Sequence, residues 1–331
     1  MINEPVDAAS AAVRRIADEI LRRQRFLLTS HARPDGDSIG SQLAMAFALD
    51  TLGKDVRIVN ADPSPDHYQD FPGMERIEIA SHVDADVDAV IVMECSDLAR
   101  TGVRGLERGF VINIDHHPGN TMYGAMNCID LTAAACGEIV FDLIAELGVP
   151  LSADMAAHVY LAILTDTGGF HYSHISPRTF DICRRCVEAG LDPTAVSRAI
   201  YDNNNLGRVR IWGAVLNDMQ LAADGRVATL QMTRELAARC GATYDDTEGL
   251  INFPLTVKEI EAVIFFKESG PGDWRISMRS KGDVNVNTIA REFGGGGHTN
   301  ASGCGATGDL SHLVPLFEQK LADAVNRAAR A

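Results

Sequence analysis

The chain has 331 residues, 46% of them hydrophobic and 23% charged, with a formal net charge of −15. That length suits two domains with separate cores, and the acidic balance opposes a long DNA tract while allowing a short nucleotide in a local cationic pocket. No apolar run reaches the ~18 to 20 residues that span a bilayer, and the stretch with Glu4, Asp7, Arg14 and Arg15 lacks a signal-peptide core, so a cytoplasmic protein without membrane contact is expected.

In chain order, the spacing of Val13, Ile16, Ala17, Ile20 and Leu21 predicts a helix over residues 8 to 24, then a strand at Phe26-Leu-Leu28. A polar loop from Thr29 to Ser41 leads into a second helix through Ala44, Phe47, Ala48 and Leu52. Further strands are predicted at Val56–Val59, Ala89–Met93 and Phe110–Ile114. Continuous apolar strands alternating with helical segments imply an N-terminal doubly wound α/β domain with a mainly parallel sheet. Helices follow near Glu138 to Leu147, Met155 to Leu164 and Pro177 to Gly190. Cys183-Arg-Arg-Cys186 has a metal-like spacing but no second pair, and reads as small residues on a half-buried helix face. The seven cysteines, odd in number and dispersed, read as reduced thiols.

Residues 191 to 220 read as a helical linker, with a polar interruption from Asp202 to Leu206, between a domain over 1–190 and a second over 221–331. Strands at Val227–Met232, Ala262–Phe266 and Trp274–Met278, with a last helix from Leu310 to Ala329, predict a smaller C-terminal α/β domain with a mixed sheet. A cleft between the domains is expected.

The chemistry gathers at segment ends. Asn113-Ile-Asp-His-His-Pro118 closes a buried strand, where open α/β sheets place their ligands. His31, Asp35 and Asp37 follow the first strand, Glu94 and Asp97 the third, and Asp166 ends a helix. Each alone reads as a cap or loop residue. Together Asp35, Asp37, Glu94 and Asp166 bring four negative charges, which two divalent cations would balance. Carboxylates and imidazoles without thiolate suit Mn²⁺ or Mg²⁺, with Mn²⁺ preferred, and two such ions imply phosphoester hydrolysis.

In these motifs the chain resembles the DHH phosphoesterase superfamily. His31-Ala-Arg-Pro-Asp-Gly-Asp-Ser-Ile-Gly-Ser41, Asp115-His-His117 and Thr165-Asp-Thr-Gly-Gly-Phe170 resemble its first, third and fourth motifs. Arg279-Ser280 with Gly294-Gly-Gly-Gly-His298 resembles its associated C-terminal domain. In length and paired domains the chain is most similar to the bifunctional oligoribonucleases and pAp phosphatases. The resemblance implies one metal on His31 and Asp35 and another on Asp37 and His116, with Asp166 and the second-motif residue shared or nearby. It also implies that His117 contacts the scissile phosphate and that Asp115 orients a histidine. The departure is Glu94, where the group usually has aspartate; Asp97 is the alternative ligand, and its other reading is to order its turn or pair with Arg100.

Gly295, Gly296 and Gly297 read as a phosphate-binding nest, with Arg279, Ser280 and His298 as further substrate contacts. The implied substrates are pAp and di- to pentanucleotide RNA, and a homodimer is compatible with the sequence. Cyclic dinucleotides or their linear products are the alternative substrates. A nucleotide-binding regulator that kept the fold and lost catalysis is the reading from another class, supported only by Glu94. His171 and His174 read equally as cleft or loop histidines.

Overall fold

The computed structural model describes residues 8–84, 86–171 and 175–329, which form two compact units, Met1–Asn203 and Asn204–Ala331. His174 lies outside the described residues. In the first unit α1 (Ala8–Arg22) buries Val13, Ile16 and Ile20, the stripe expected of an amphipathic helix. The strands β1 (Arg25–Thr29), β2 (Asp55–Asn60), β3 (Ile77–Ile79), β4 (Ala89–Met93), β5 (Val111–Asp115) and β6 (Met126–Ile129) pair in parallel in the order β3-β2-β1-β4-β5-β6. The strands β4 and β5 are buried along their whole length, as continuous apolar runs demand in a sheet covered on both faces. Strand order reverses between β1 and β4, where the loops of an open α/β sheet part into a crevice beyond the carboxyl ends.

Helices α2 (Gly36–Thr51), α3 (Cys136–Glu146), α4 (Ala153–Asp166), α5 (Pro177–Glu188) and α6 (Pro193–Tyr201) complete this unit. Every residue of α2 from Gly36 to Met45 is buried, so this part of the helix runs through the core and only its last turn, at Asp50 and Thr51, is exposed. Gly40 lets it lie against α4: a Cβ there would come within 2.4 Å of the His158 carbonyl oxygen. That close approach carries Asp37 on α2 towards Asp166 at the end of α4. Cys183 and Cys186 pack into the core, and all seven cysteines are free thiols.

The second unit contains α7 (Leu206–Asn217), β7 (Gln220–Ala222), β8 (Val227–Met232), α8 (Arg234–Cys240), β9 (Ala262–Gly270), β10 (Asp273–Ser280), α9 (Asn287–Glu292), β11 (Gly296–His298), β12 (Ala301–Thr307) and α10 (Leu310–Ala328). Its sheet runs β11-β12-β10-β9-β8-β7, with β8 and β9 parallel and the other neighbours antiparallel, the mixed sheet expected. Alternation along the strands splits its core in two. Ile264, Phe266, Ile276 and Met278 pack with Phe317 and Leu321 of α10, and Val263 and Phe265 with Ile211 and Val215 of α7.

The residues read as a linker are shared out, α6 to the first unit and α7 with β7 to the second. Strand β12 escaped the sequence reading because Ala-Ser-Gly-Cys-Gly-Ala-Thr lacks the β-branched and aromatic residues that mark a strand. No helix among the described residues is long and apolar enough to cross a membrane.

Candidate metal centre and substrate face

Asp37, in the first turn of α2, is buried and held from three directions. The Ser41 hydroxyl (2.9 Å) and the Gly137 N–H (3.0 Å) donate to its Oδ1, and the Cys136 N–H (2.6 Å) donates to its Oδ2. Both amides belong to the opening turn of α3, whose unpaired N–H groups and positive end favour a carboxylate.

His116 follows β5. Its Nδ1–H donates to the Ala133 carbonyl (3.1 Å), which fixes the ring and turns Nε2 inward. There Nε2 lies 3.4 Å from Glu94 Oε1, 3.5 Å from Asp166 Oδ2 and 3.7 Å from Asp37 Oδ2. This nitrogen is buried with no hydrogen-bond partner, and Glu94 Oε2 is likewise buried and unpartnered. One ligand atom from each of Asp37, Glu94, His116 and Asp166 lies within 4.8 Å of the others. An inward lone pair among three carboxylates is a donor set for a hard divalent cation, so these residues fit one.

The electrostatics agree. Burial, then Asp37, raises Glu94 well above its ordinary value and pushes Asp166 up to about 6. Burial pulls His116 down, but Glu94, Asp37 and Asp166 outweigh it and lift it to about 10. The pocket demands positive charge, and a proton on His116 and a divalent cation would compete for the same place.

Glu94 reaches this position through a left-handed backbone, φ 57°, a conformation disfavoured for a residue with a Cβ. Arg33, Met122 and Phe170, in the loops after β1, β5 and α4, share it. Such outliers collect where a loop must aim a side chain. Asp97 instead caps the 3-10 turn at Leu98–Thr101 by accepting from the Ala99 N–H (2.9 Å), and Arg100 donates to the Ser96 hydroxyl (2.9 Å).

His31 and Asp35 stand as a pair, with Nε2 to Oδ2 at 3.6 Å. The Ser38 hydroxyl meets His31 Nε2 at 2.8 Å, and the Ser38 N–H donates to Asp35 Oδ1 (3.0 Å) as the cap of α2. The six expected ligands thus divide into a group of four and a pair.

Asp115 is buried at the end of β5. Its Oδ1 accepts from the N–H of His116 (2.9 Å), the N–H of His117 (3.2 Å) and the Nδ1–H of His117 (3.0 Å). Its Oδ2 accepts from Asn120 Nδ2 (2.6 Å). Asp115 therefore orients His117, while a backbone carbonyl orients His116. Asn120, Ser38, Ser41, the Ala133 carbonyl and the α3 amides are contributors that the sequence analysis did not single out. The side chains had a faint signal in polar residues close to the motifs, whereas the backbone groups had none.

In the second unit, Arg279 pairs with Ala301 and Ala301 with His298. Directly opposed residues share a face, so Arg279 and His298 project from the same side of the sheet, two strands apart. Arg279 is half-buried, has no carboxylate partner among the described residues, and is lowered from its ordinary value by burial. Its Nη1 donates to the Met278 carbonyl (3.1 Å). The glycines need a different explanation from the nest expected of them. A Cβ at Gly295 would meet the Gly303 oxygen at 2.1 Å, and one at Gly297, φ 143°, the Ala301 oxygen at 2.4 Å. The β11–β12 pairing itself requires both, whereas a Cβ at Gly296 would meet open space. Ser280 also departs from expectation. It is buried, donates to the Val284 carbonyl (2.5 Å) and accepts from Asn300 (3.0 Å), so its hydroxyl is engaged in the loop.

A model of the DHH family, N-terminal domain, matches residues 25–163, and a DHHA1 domain model matches residues 225–331. The bifunctional oligoribonuclease and PAP phosphatase NrnA of Thermus thermophilus is 30% identical over 318 residues, covering 95% of this chain and 95% of its own. The crystal structure of an exopolyphosphatase-related protein from Bacteroides fragilis aligns with a TM-score of 0.86 at 28% identity, covering 95% of this chain and 96% of its own. RecJ of Thermus thermophilus, solved in complex with Mn²⁺, shares the fold at a TM-score of 0.54 and 14% identity, over 99% of this chain and 55% of that one.

Proposed function

The chain belongs to the DHH family, and on that footing we propose that it hydrolyses phosphoester bonds in short oligoribonucleotides and in pAp. The observation that carries the reading is the unpartnered His116 Nε2 among Asp37, Glu94 and Asp166, at the reversal point of a parallel sheet. These four residues would hold one divalent cation, and His31 with Asp35 would contribute to a second. A donor set of carboxylates and imidazole without thiolate favours Mn²⁺ over zinc. Bound there, such cations supply an acidified water and positive charge to offset that of the phosphate.

The chain's own groups do the positioning. Asp37, anchored by two amides and a hydroxyl, keeps its carboxylate from rotating away. Asp115 takes the Nδ1–H of His117 and leaves its Nε2 for a phosphate oxygen, with the ring set before substrate arrives. Glu94 Oε1 also lies 3.3 Å from His117 Nδ1, so the second-motif residue touches both histidines. The regulator reading rested on Glu94 alone, and Glu94 sits within the ligand group. In the second unit, Arg279 and His298 are the contacts we assign to a substrate phosphate, with the exposed backbone at Gly296 beside them; an arginine fork bonds two phosphate oxygens at once.

A panel of pAp, dinucleotide RNA, pyrophosphate and a cyclic dinucleotide, each with Mn²⁺ and with Mg²⁺, tests the reading. Turnover of pAp and the dinucleotide, faster with Mn²⁺, is expected. Preferential turnover of pyrophosphate or the cyclic dinucleotide, or no phosphoester cleavage at all, would contradict it.

A further inference from the structure

Arg275 lies four residues along β10 from Arg279, on the same sheet face and about 13 Å away. Beside it a cavity of about 560 Å³ opens, floored by Met232, Ala237 and Ala242, walled by Tyr244 and rimmed by Arg234 and Arg275. We propose that this cavity is a second phosphate site, built entirely within the second unit, which takes the phosphate-bearing end of a nucleotide.

The cationic groups there have no carboxylate partner at ion-pair distance among the described residues. The Tyr244 hydroxyl is buried, with the Arg275 guanidinium as its neighbour. Lys267 stands directly opposite Arg275 on the neighbouring strand, and like charges in that position repel. Neither of them, nor Arg234, forms an ion pair among the described residues. Lys267 lies over the Tyr244 ring, 3.9 Å from its centroid, and donates to the Thr247 hydroxyl (3.4 Å), while Asp245 and Glu248 stay beyond ion-pair distance of it. The acid at the rim, Glu268, accepts from the Arg234 backbone N–H (2.9 Å). Two guanidinium groups, Arg234 and Arg275, and one carboxylate, Glu268, line the hollow, with Lys267 on the Tyr244 ring next to them, a local excess of positive charge in a chain of net charge −15. A phosphate supplies the missing acceptors and offsets the Lys267–Arg275 repulsion. The apolar floor beside it suits a ribose or base, and the volume is that of a small-molecule pocket.

Two sources share this chemistry, a free mononucleotide and the 5′-phosphate of an oligonucleotide, and the test separates them. The full-length protein in EDTA is titrated with 5′-AMP by calorimetry, and triribonucleotides with and without a 5′-phosphate are assayed with Mn²⁺. Arg275→Ala is expected either to weaken 5′-AMP binding about tenfold, or to lower kcat/KM about tenfold for the 5′-phosphorylated trinucleotide alone. The first result assigns the site to free nucleotide and the second to the substrate's end. If Arg275→Ala changes neither 5′-AMP affinity nor the phosphorylated trinucleotide, the proposal is wrong, whether or not the chain hydrolyses phosphoesters.

Discussion

In the first unit two proposed ligands and the proposed phosphate contact are each held by a fixed partner: Asp37 by the amides of Cys136 and Gly137, His116 by the Ala133 carbonyl, and His117 by Asp115. In the second, Arg279 donates to its neighbour's carbonyl and His298 lies exposed on a short edge strand. The first arrangement costs no reorganisation when charge develops, and the second adapts to what it grips. The difference teaches where to look for effects: changes in the first unit should appear in kcat and metal affinity, and changes in the second in KM.

The largest effect should come from Asp37→Asn, which keeps the shape and removes the charge. A fall in kcat of about 10²- to 10³-fold is expected, the loss typical of removing one preorganised electrostatic partner, with weaker Mn²⁺ binding in a metal titration. Glu94→Gln should fall in the same range while Asp97→Ala stays near wild type; the reverse order would return the second-motif role to Asp97. Asp115→Asn should cost about 10- to 100-fold in kcat, because the partner that orients His117 changes from acceptor to mixed donor and acceptor.

Arg279→Ala should raise KM about tenfold with kcat little changed, the worth of a charge-assisted hydrogen bond. A comparable fall in kcat would erase the proposed division between the units. Ser280→Ala should instead destabilise the fold by about 1 to 2 kcal/mol in denaturant titration, with KM unchanged, since its hydroxyl serves Val284 and Asn300.

The first unit also carries a pH liability in its core. His158 on α4 is buried, its Nε2–H donates to the Pro72 carbonyl (2.8 Å), and burial pulls it down from 6.5 to about 4. The unfolded chain therefore takes up the proton first. The contribution of His158 is fully present above pH 6.5 and is lost as pH falls towards 4, about 3 kcal/mol across that window. His158→Gln should flatten this part of the stability profile, and an unchanged slope would show that other groups set it.

The parallel sheet was legible because β4 and β5 are unbroken apolar runs at strand length, and the candidate site because its polar residues fall at their ends. Strands β6 and β12 were not, since Met-Asn-Cys-Ile and a run of small residues carry no strand period. The glycines at 295 and 297 were visible, but their cause was not: the demand comes from the backbone of β12 across the hairpin. The anchoring of His116 by a carbonyl leaves no trace in any side chain. His158 had no neighbour in sequence to show that α4 would bury it against α2.

The central claim is that Asp37, Glu94, His116 and Asp166 together hold a divalent cation. A crystal structure of the full chain soaked in Mn²⁺, with anomalous data at the manganese edge, tests it most directly. The expected result is a peak within about 2.5 Å of His116 Nε2 and of carboxylate oxygens from all three acids. No peak there at saturating Mn²⁺, or a peak that leaves out His116, would contradict the claim.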